Sequence, residues 1–372
     1  MILTCNQRRA LLLGLCWLNF SVTRASSFQT IAFSEKFTFK TKNAPPLASK
    51  TAAKLPRTIH PLFFLSLRGG SSDSSTKLTF SSVTFDNGPF WQFNQVMLAA
   101  NALGFVVSLL SGGSHLHLDL LGTGAFAIAS IPTGLSSSVP RVKLSALCVS
   151  LWASKLASFL FSRALKTKHD ARLSDTLSTT SGTFGFWLIS LLWGVLCSLP
   201  HSLGATSSYN VPLMESPCSM AGAGLFLLGF LTETTADYQK WMFKKANPGK
   251  FCNAGLWSIS QHPNFLGNVL LWSGIFLMNA PALIEPPPAI PAADSALAVL
   301  CKNVWRFRRL ALSALSPLFL YTLFTGQASR TFSNTQELAQ KKYGDDPAYQ
   351  TYMKAVPLIF PNPLKILSGK YK

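Results

Sequence analysis

The chain has 372 residues, 33 Lys/Arg against 14 Asp/Glu, a net charge of +19 and a mean hydropathy of +0.28. Only 13% of its residues are charged and 48% are hydrophobic; soluble domains carry roughly 25% charged residues, so a disordered tail protein is excluded and a soluble enzyme disfavoured. Nucleic-acid binding is not expected either, because 11 of the basic residues lie in residues 1–80 against Glu35 and Asp73, and no aromatic-studded basic groove accompanies the rest.

In chain order, Arg8 and Arg9 precede an apolar run from Ala10 to Val22 that closes on Thr23-Arg24-Ala25. A basic start, a short apolar centre and a small residue at the end predict a signal peptide over residues 1–25. The run is shorter than the about 20 residues a membrane helix needs. Residues 26–80 are rich in Ser, Thr and Lys and nearly free of acids, the composition of a transit peptide. The tandem resembles the bipartite presequences of algae with complex plastids, and Ala25-Ser26-Ser27-Phe28 resembles their cleavage motif. The resemblance implies an integral membrane protein of a complex plastid. The alternative is an ordinary signal peptide with a linker, and residence in the endoplasmic reticulum membrane.

Residues 81–372 are then the membrane domain. Seven apolar segments, at about 92–111, 118–137, 144–163, 184–203, 218–236, 263–283 and 308–326, each have the length of a membrane helix. The expected fold is all-α, a polytopic bundle of about seven transmembrane helices. The loops after the odd-numbered segments share one side and hold Arg163, Lys166, Lys168, Arg172, Lys240, Lys244, Lys245, Lys250 and a basic tail. The other side holds Arg141, Lys143, Lys302, Arg306, Arg308 and Arg309. The bias supports this topology, which the cluster before the last segment opposes. The seven cysteines include no CxxC pair, so neither a disulfide framework nor a zinc site is expected. His115 and His117 are two apart and do not share a helical face, and no metal site is expected there.

Two stretches carry chemistry. At the end of the fifth segment, Glu233 and Asp237 are four apart and stack on one helical face, with Lys240 a turn beyond. Carboxylates at a membrane boundary are costly and mark function by default; the plain alternative is a solvated helix end. The second stretch runs from Gly255 to Asn268 (GLWSISQHPNFLGN). Pro263 suits the first turn of a helix, whose free N–H groups make an anion site flanked by His262 and Asn264; the plain alternative is a simple cap. Gly222, Gly224 and Gly229 read as helix-packing positions. Lys155 lies inside the third segment, either snorkelling or facing the bundle interior.

These blocks resemble the polytopic proteins with a steroid 5-alpha-reductase-like C-terminal domain, in particular their uncharacterised bacterial and algal branch. The carrying residues are Glu233, Ala236, Asp237, Gln239 and Lys240; the GLWSISQHPNFLGN block; Arg163 with His169-Asp170-Ala171-Arg172; and a tail with Glu337, Tyr343-Gly344, Tyr349 and Tyr352. The resemblance covers about residues 92–363. It implies a membrane reductase that takes a hydride from NADPH and saturates a C=C bond in an apolar, sterol- or isoprenoid-like substrate entering from membrane lipid. Carried over by position, Arg172, Asp237, His262 and Asn264 would contact the cofactor. Glu233, Lys240, Asn268, Glu337 and Tyr343 complete the implied cofactor-binding set, and Lys240, Lys244, Lys245 and Lys250 supply charge for phosphates.

Ser258 and Gln261 stand where the pattern has arginines, and Asn268 stands where it has an acid. The reductases' acidic partner of a proton-donating Tyr has no counterpart in the first three segments. Isoprenylcysteine carboxyl methyltransferases share the architecture, and their S-adenosylmethionine motifs resemble Gln261-His262-Pro263 through Gly267 together with Glu337 and Tyr343-Gly344. A membrane methyltransferase, or a catalytically silent lipid-binding relative, is therefore the alternative.

Overall fold

The computed structural model describes residues 88–166, 173–207, 209–284, 296–329 and 335–368. The expected signal and transit segments lie outside the described residues. Seven long helices follow one another: α1 (Pro89–Leu110), α2 (Leu118–Ser136), α3 (Pro140–Lys166), α4 (Thr180–Ala205), α5 (Pro217–Ala246), α6 (Pro263–Asn279) and α7 (Ala296–Ala328). Two short tail helices, α8 (Thr335–Tyr343) and α9 (Pro347–Ala355), come after them. Among the described residues there is no strand. Start signals are local: Thr179 accepts from the Gly182 N–H, Ser216 from the Ser219 N–H and Asp346 from the Ala348 N–H, each satisfying a donor the first turn leaves open. Pro217, Pro263 and Pro347 occupy first turns, where a missing N–H costs nothing.

Six helices are long and apolar enough to cross a membrane, and the chain is an integral membrane protein. The helix that falls short is α5, because its second half carries Glu233, Asp237, Lys240, Lys244 and Lys245. It nevertheless runs antiparallel to α6 along their common length. A Cβ on Gly222, Gly229, Gly267 or Gly274 would overlap the backbone of Met278, Leu271, Glu233 or Phe226 respectively. Four glycines thus bring two backbones into contact, the way membrane helices associate where lipid removes the hydrophobic drive. Gly224 faces open space and takes no part. From Gly222 to Glu233, α5 is thus in backbone contact with α6, one of the six helices of membrane-crossing length.

The contacts also sort the ends. Phe93 meets His201, Asn279 meets Arg141 and Gly204, and Ser219 donates to the Met278 carbonyl. Lys155 meets Asp237, and Phe265 stacks on Phe324. The ends of α1, α3, α5 and α7 therefore share one face with the starts of α2, α4 and α6, the arrangement the charge bias favours. Between the faces lies an aromatic core of Phe93, Phe126, Trp152 and Trp272, all fully buried, in edge-on contact at centroid distances of 5.0–6.3 Å. Edge-to-face pairing aligns ring edges with ring faces and fixes how α1, α2, α3 and α6 rotate against one another.

Candidate functional site

The polar face is closed by the segment between α5 and α6 and by the tail folded over it. Asn247-Pro248-Gly249 ends α5 with Gly249 at φ 84°, a left-handed turn suited to glycine. The chain then doubles back. The Leu256 N–H donates to Gln239 Oε1 at 2.9 Å, and Trp257 Nε1 donates to the Ala236 carbonyl at 2.9 Å. The tail is strapped on by its own bonds. Tyr352 donates its hydroxyl to the Trp257 carbonyl (2.8 Å), and the Gln261 N–H donates to the Pro357 carbonyl (2.9 Å). Gln261 Nε2 donates to the carbonyls of Met353 (3.0 Å) and Val356 (2.7 Å), and Ser260 Oγ to that of Ile359 (2.8 Å).

Beneath the strap is a cavity of about 120 Å³ lined by Lys240, Lys244, Phe251, Cys252, Trp257, His262, Tyr343, Tyr349 and Tyr352, among others. The Lys240 ammonium sits 4.2 Å from the Trp257 ring centroid, and Lys244 bonds the Tyr343 hydroxyl at 2.7 Å. Lys240 is exposed as a whole residue, yet its ammonium is enclosed; burial, then Lys244 beside it, lowers its pKa to about 8. His262 is half-buried and stacked on Phe265 at 4.8 Å. Burial first, and Lys240 second, lower its pKa to about 4, so at neutral pH it is an uncharged imidazole. Burial likewise pushes the Tyr352 hydroxyl and the Cys252 thiol up. The cavity presents cationic and aromatic groups with hydrogen-bonding side chains, a combination suited to a ring system bearing anionic substituents.

A second cluster lies deeper, between α3, α5 and α6. Lys155 Nζ is 3.1 Å from Asp237 Oδ2 and 3.5 Å from Glu233 Oε1. Glu233 Oε2 accepts from Trp152 Nε1 at 3.0 Å and from Asn268 Nδ2 at 3.5 Å. Glu233 is 3% exposed, while the Lys155 side chain keeps 19%, so the cluster is sealed on one side and open on the other. Asn264 Oδ1 and Asn268 Oδ1, four residues apart on α6, are buried acceptors with no hydrogen-bond partner among the described residues. Buried polar atoms usually find partners, so these two mark unmet hydrogen-bonding capacity beside the cluster.

The sequence-derived residues thus divide. Lys240, His262 and Tyr343 line the cavity. Glu233, Asp237 and Asn268 do not; they form the deeper cluster, one to two helical turns further into the bundle. Asn264 lies on α6 between the two. Arg172 lies outside the described residues, as does the side chain of Glu337. Sequence reasoning missed Lys155 and Trp152 as partners of Glu233, though a lysine inside an apolar segment was the available signal. It also missed the role of Gln261: where the family pattern has an arginine, this chain has a side chain that holds the tail in place.

The chain belongs to the family described as "Protein of unknown function (DUF1295)", a steroid 5-alpha-reductase-like domain family, which matches residues 104–289, half of its 372 residues. The matched stretch carries α2 to α6 whole, with both the Glu233/Asp237 and His262 blocks, and stops before α7. No curated protein and no solved structure shows significant similarity to the chain.

Proposed function

We propose that this member of the family binds NADPH at the polar face and reduces a C=C bond of an apolar, lipid-dissolved molecule. The observation that carries the reading is the convergence of the Lys240 and Lys244 ammonium groups with His262 and five aromatic side chains on one cavity. A dinucleotide phosphate is a polyanion with two ring systems, and this lining offers charge to the first and flat apolar surface to the second. S-adenosylmethionine carries a cationic sulfonium, which two lysines disfavour, so the same observation argues against the methyltransferase reading. The enclosed volume is smaller than the roughly 300–1,000 Å³ of ordinary small-molecule sites. The nucleotide would seat one part under the strap and lie along the polar surface beyond it.

The chain's own residues would act as follows. Lys240 and Lys244 hold phosphate, with Arg172 as a further phosphate contact. Neutral His262 can accept or donate a hydrogen bond, and the Asn264 and Asn268 side-chain oxygens accept hydrogen bonds from amide and ribose groups. Tyr343 keeps Lys244 in place. Glu233 and Asp237 fix Lys155 as the polar boundary between this site and the apolar core, through which the substrate would enter from lipid. When bound, NADPH supplies hydride.

The test is ligand binding to the full chain in detergent, read by quenching of tryptophan fluorescence. NADPH is expected to bind and S-adenosylmethionine not to; binding of S-adenosylmethionine alone would reverse the assignment. The leader's composition supports an address in a complex plastid. A reporter fused behind residues 1–80 should reach that plastid and be diverted by Phe28→Ala, whereas retention in the endoplasmic reticulum with Phe28 intact would sink the plastid address.

A further inference from the structure

The helix that follows the family match, α7, is 33 residues long. At 1.5 Å per residue it reaches about 50 Å, against roughly 30 Å of hydrocarbon. Its C-terminal end is fixed at the polar face of the candidate site, because Phe324 stacks on Phe265 at 4.6 Å. Its surplus length therefore emerges at the opposite face, and it begins there with Lys302, Arg306, Arg308 and Arg309. Lys302, Arg306 and Arg309 are spaced i, i+4, i+7, which puts them on one face of the helix. Continued along α7, that face becomes Ser313 and Ser316, both fully buried, with Ser316 Oγ donating to the Cys197 carbonyl of α4 at 2.8 Å. The basic stripe is thus the bundle-facing side of α7, prolonged past the point where α4 ends at Ala205.

The other side of the same turns is apolar. Leu300, Val304 and Phe307 are exposed, in line with Leu318, exposed further along the membrane-crossing part. A helix end whose outer stripe continues the lipid-facing surface, and whose inner stripe is basic, has the build of an interfacial segment. Two of the cations are engaged. Arg309 bonds the Leu203 carbonyl and Thr206 Oγ1, and Arg308 lies 3.6 Å from the Trp305 ring centroid. Among the described residues Lys302 makes no hydrogen bond or ion pair, and the Arg306 guanidinium lies 5.4 Å from the Phe307 ring centroid. No acidic residue occurs anywhere in α7, and the one acidic side chain among the described residues of this face is Glu215, which is exposed.

We propose that the first three turns of α7 form an interfacial binding site for the headgroup of an anionic phospholipid, held by Lys302 and Arg306. The site accounts for a cluster that runs against the charge bias of the remaining loops. It is independent of the cofactor reading and lies at the other end of the bundle.

The test measures association of spin-labelled phosphatidylglycerol and phosphatidylcholine with the full chain in mixed bilayers. Wild type should prefer phosphatidylglycerol, and Lys302→Gln with Arg306→Gln should lower that preference about thirtyfold, at roughly fivefold per lost cation near an anionic headgroup. Arg306 is exposed and Lys302 half-buried, so the variant is expected to fold; an unchanged helical circular dichroism spectrum and elution volume confirm it. Lys302→Glu with Arg306→Glu should abolish the preference. Three results overturn the proposal: no preference in wild type, an undiminished preference in the double variant, or an equal loss in Lys365→Gln at the opposite face, which would reduce the effect to net charge. Competition by inorganic phosphate as effective as by the lipid would also overturn it, in favour of a small-anion site.

Discussion

The bundle buries polar networks at both ends, and they do different things. At the face away from the candidate site, Arg141 bonds Asn279 Oδ1 and the Gly204 carbonyl, Asn279 donates to Ser145 Oγ at 3.0 Å, and Ser145 meets His201 Nδ1 at 2.9 Å. Arg141, Ser145, Asn279 and His201 are each at most 2% exposed. Arg141 and Arg309 both cap the last carbonyls of α4, where the helix leaves acceptors open and its dipole favours cations. That network is accounted for by helix termination. The Lys155–Glu233–Asp237 cluster caps nothing. It places three ionisable groups between mid-helix positions and stays partly open. Buried charge alone therefore does not mark a site; a charged group whose bonds are not explained by the backbone around it does.

Substitutions can break this contrast. The largest effect is expected from Arg141→Met, which strands the Gly204 carbonyl and the Asn279 side chain. Thermal unfolding in detergent should show a loss of about 3 kcal/mol, with nucleotide binding untouched in whatever fraction stays folded. Equal stability would mean the capping account is wrong. Lys155→Met leaves two carboxylates facing each other without a cation and should cost about 2 kcal/mol, less than for a sealed pair because the cluster is partly open. Adding Glu233→Gln should recover part of that loss, since the amide still accepts from Trp152. Two strictly additive effects would show that Lys155 and Glu233 do not interact.

Smaller changes sharpen the picture at the strap. Gln261→Ala removes two bonds to the tail and should cost about 1–2 kcal/mol, seen as faster proteolysis after α7 while the bundle stays intact. His262 gives a pH signature. Its pKa in the folded chain, about 4, lies below the ordinary 6.5, so the unfolded chain takes up the proton first. Its contribution is complete above pH 6.5 and is lost as pH falls from there towards 4. After allowance for partial exposure the expected loss is about 1 kcal/mol. His262→Gln should flatten that slope; an identical slope would show that folding does not lower the pKa of the imidazole.

Much of this molecule is local and was legible in order along the chain. Membrane helices announce themselves because lipid leaves the backbone no partner but itself, so length and apolarity fix where they run. Capping residues and prolines set their starts for reasons confined to one turn. Gly222 and Gly229 were readable as packing positions because no other role suits small residues on a membrane helix. Spacing also put Glu233 and Asp237 on one face. It did not reveal that the third member of their cluster is Lys155, 78 positions before Glu233 in the sequence, or that Trp152 donates to the same carboxylate. Those pairings depend on how α3, α5 and α6 rotate about their axes, which the glycine contacts and the aromatic core decide together. The separation of His262 from Glu233 and Asp237 into two clusters arises the same way: one helix carries the acids inward while the loop after it folds back over the face. Sequence order records neighbours along the chain. Which charges meet is decided only when seven helices pack, because an ion pair needs groups within about 4 Å and helix rotation alone moves a side chain further than that.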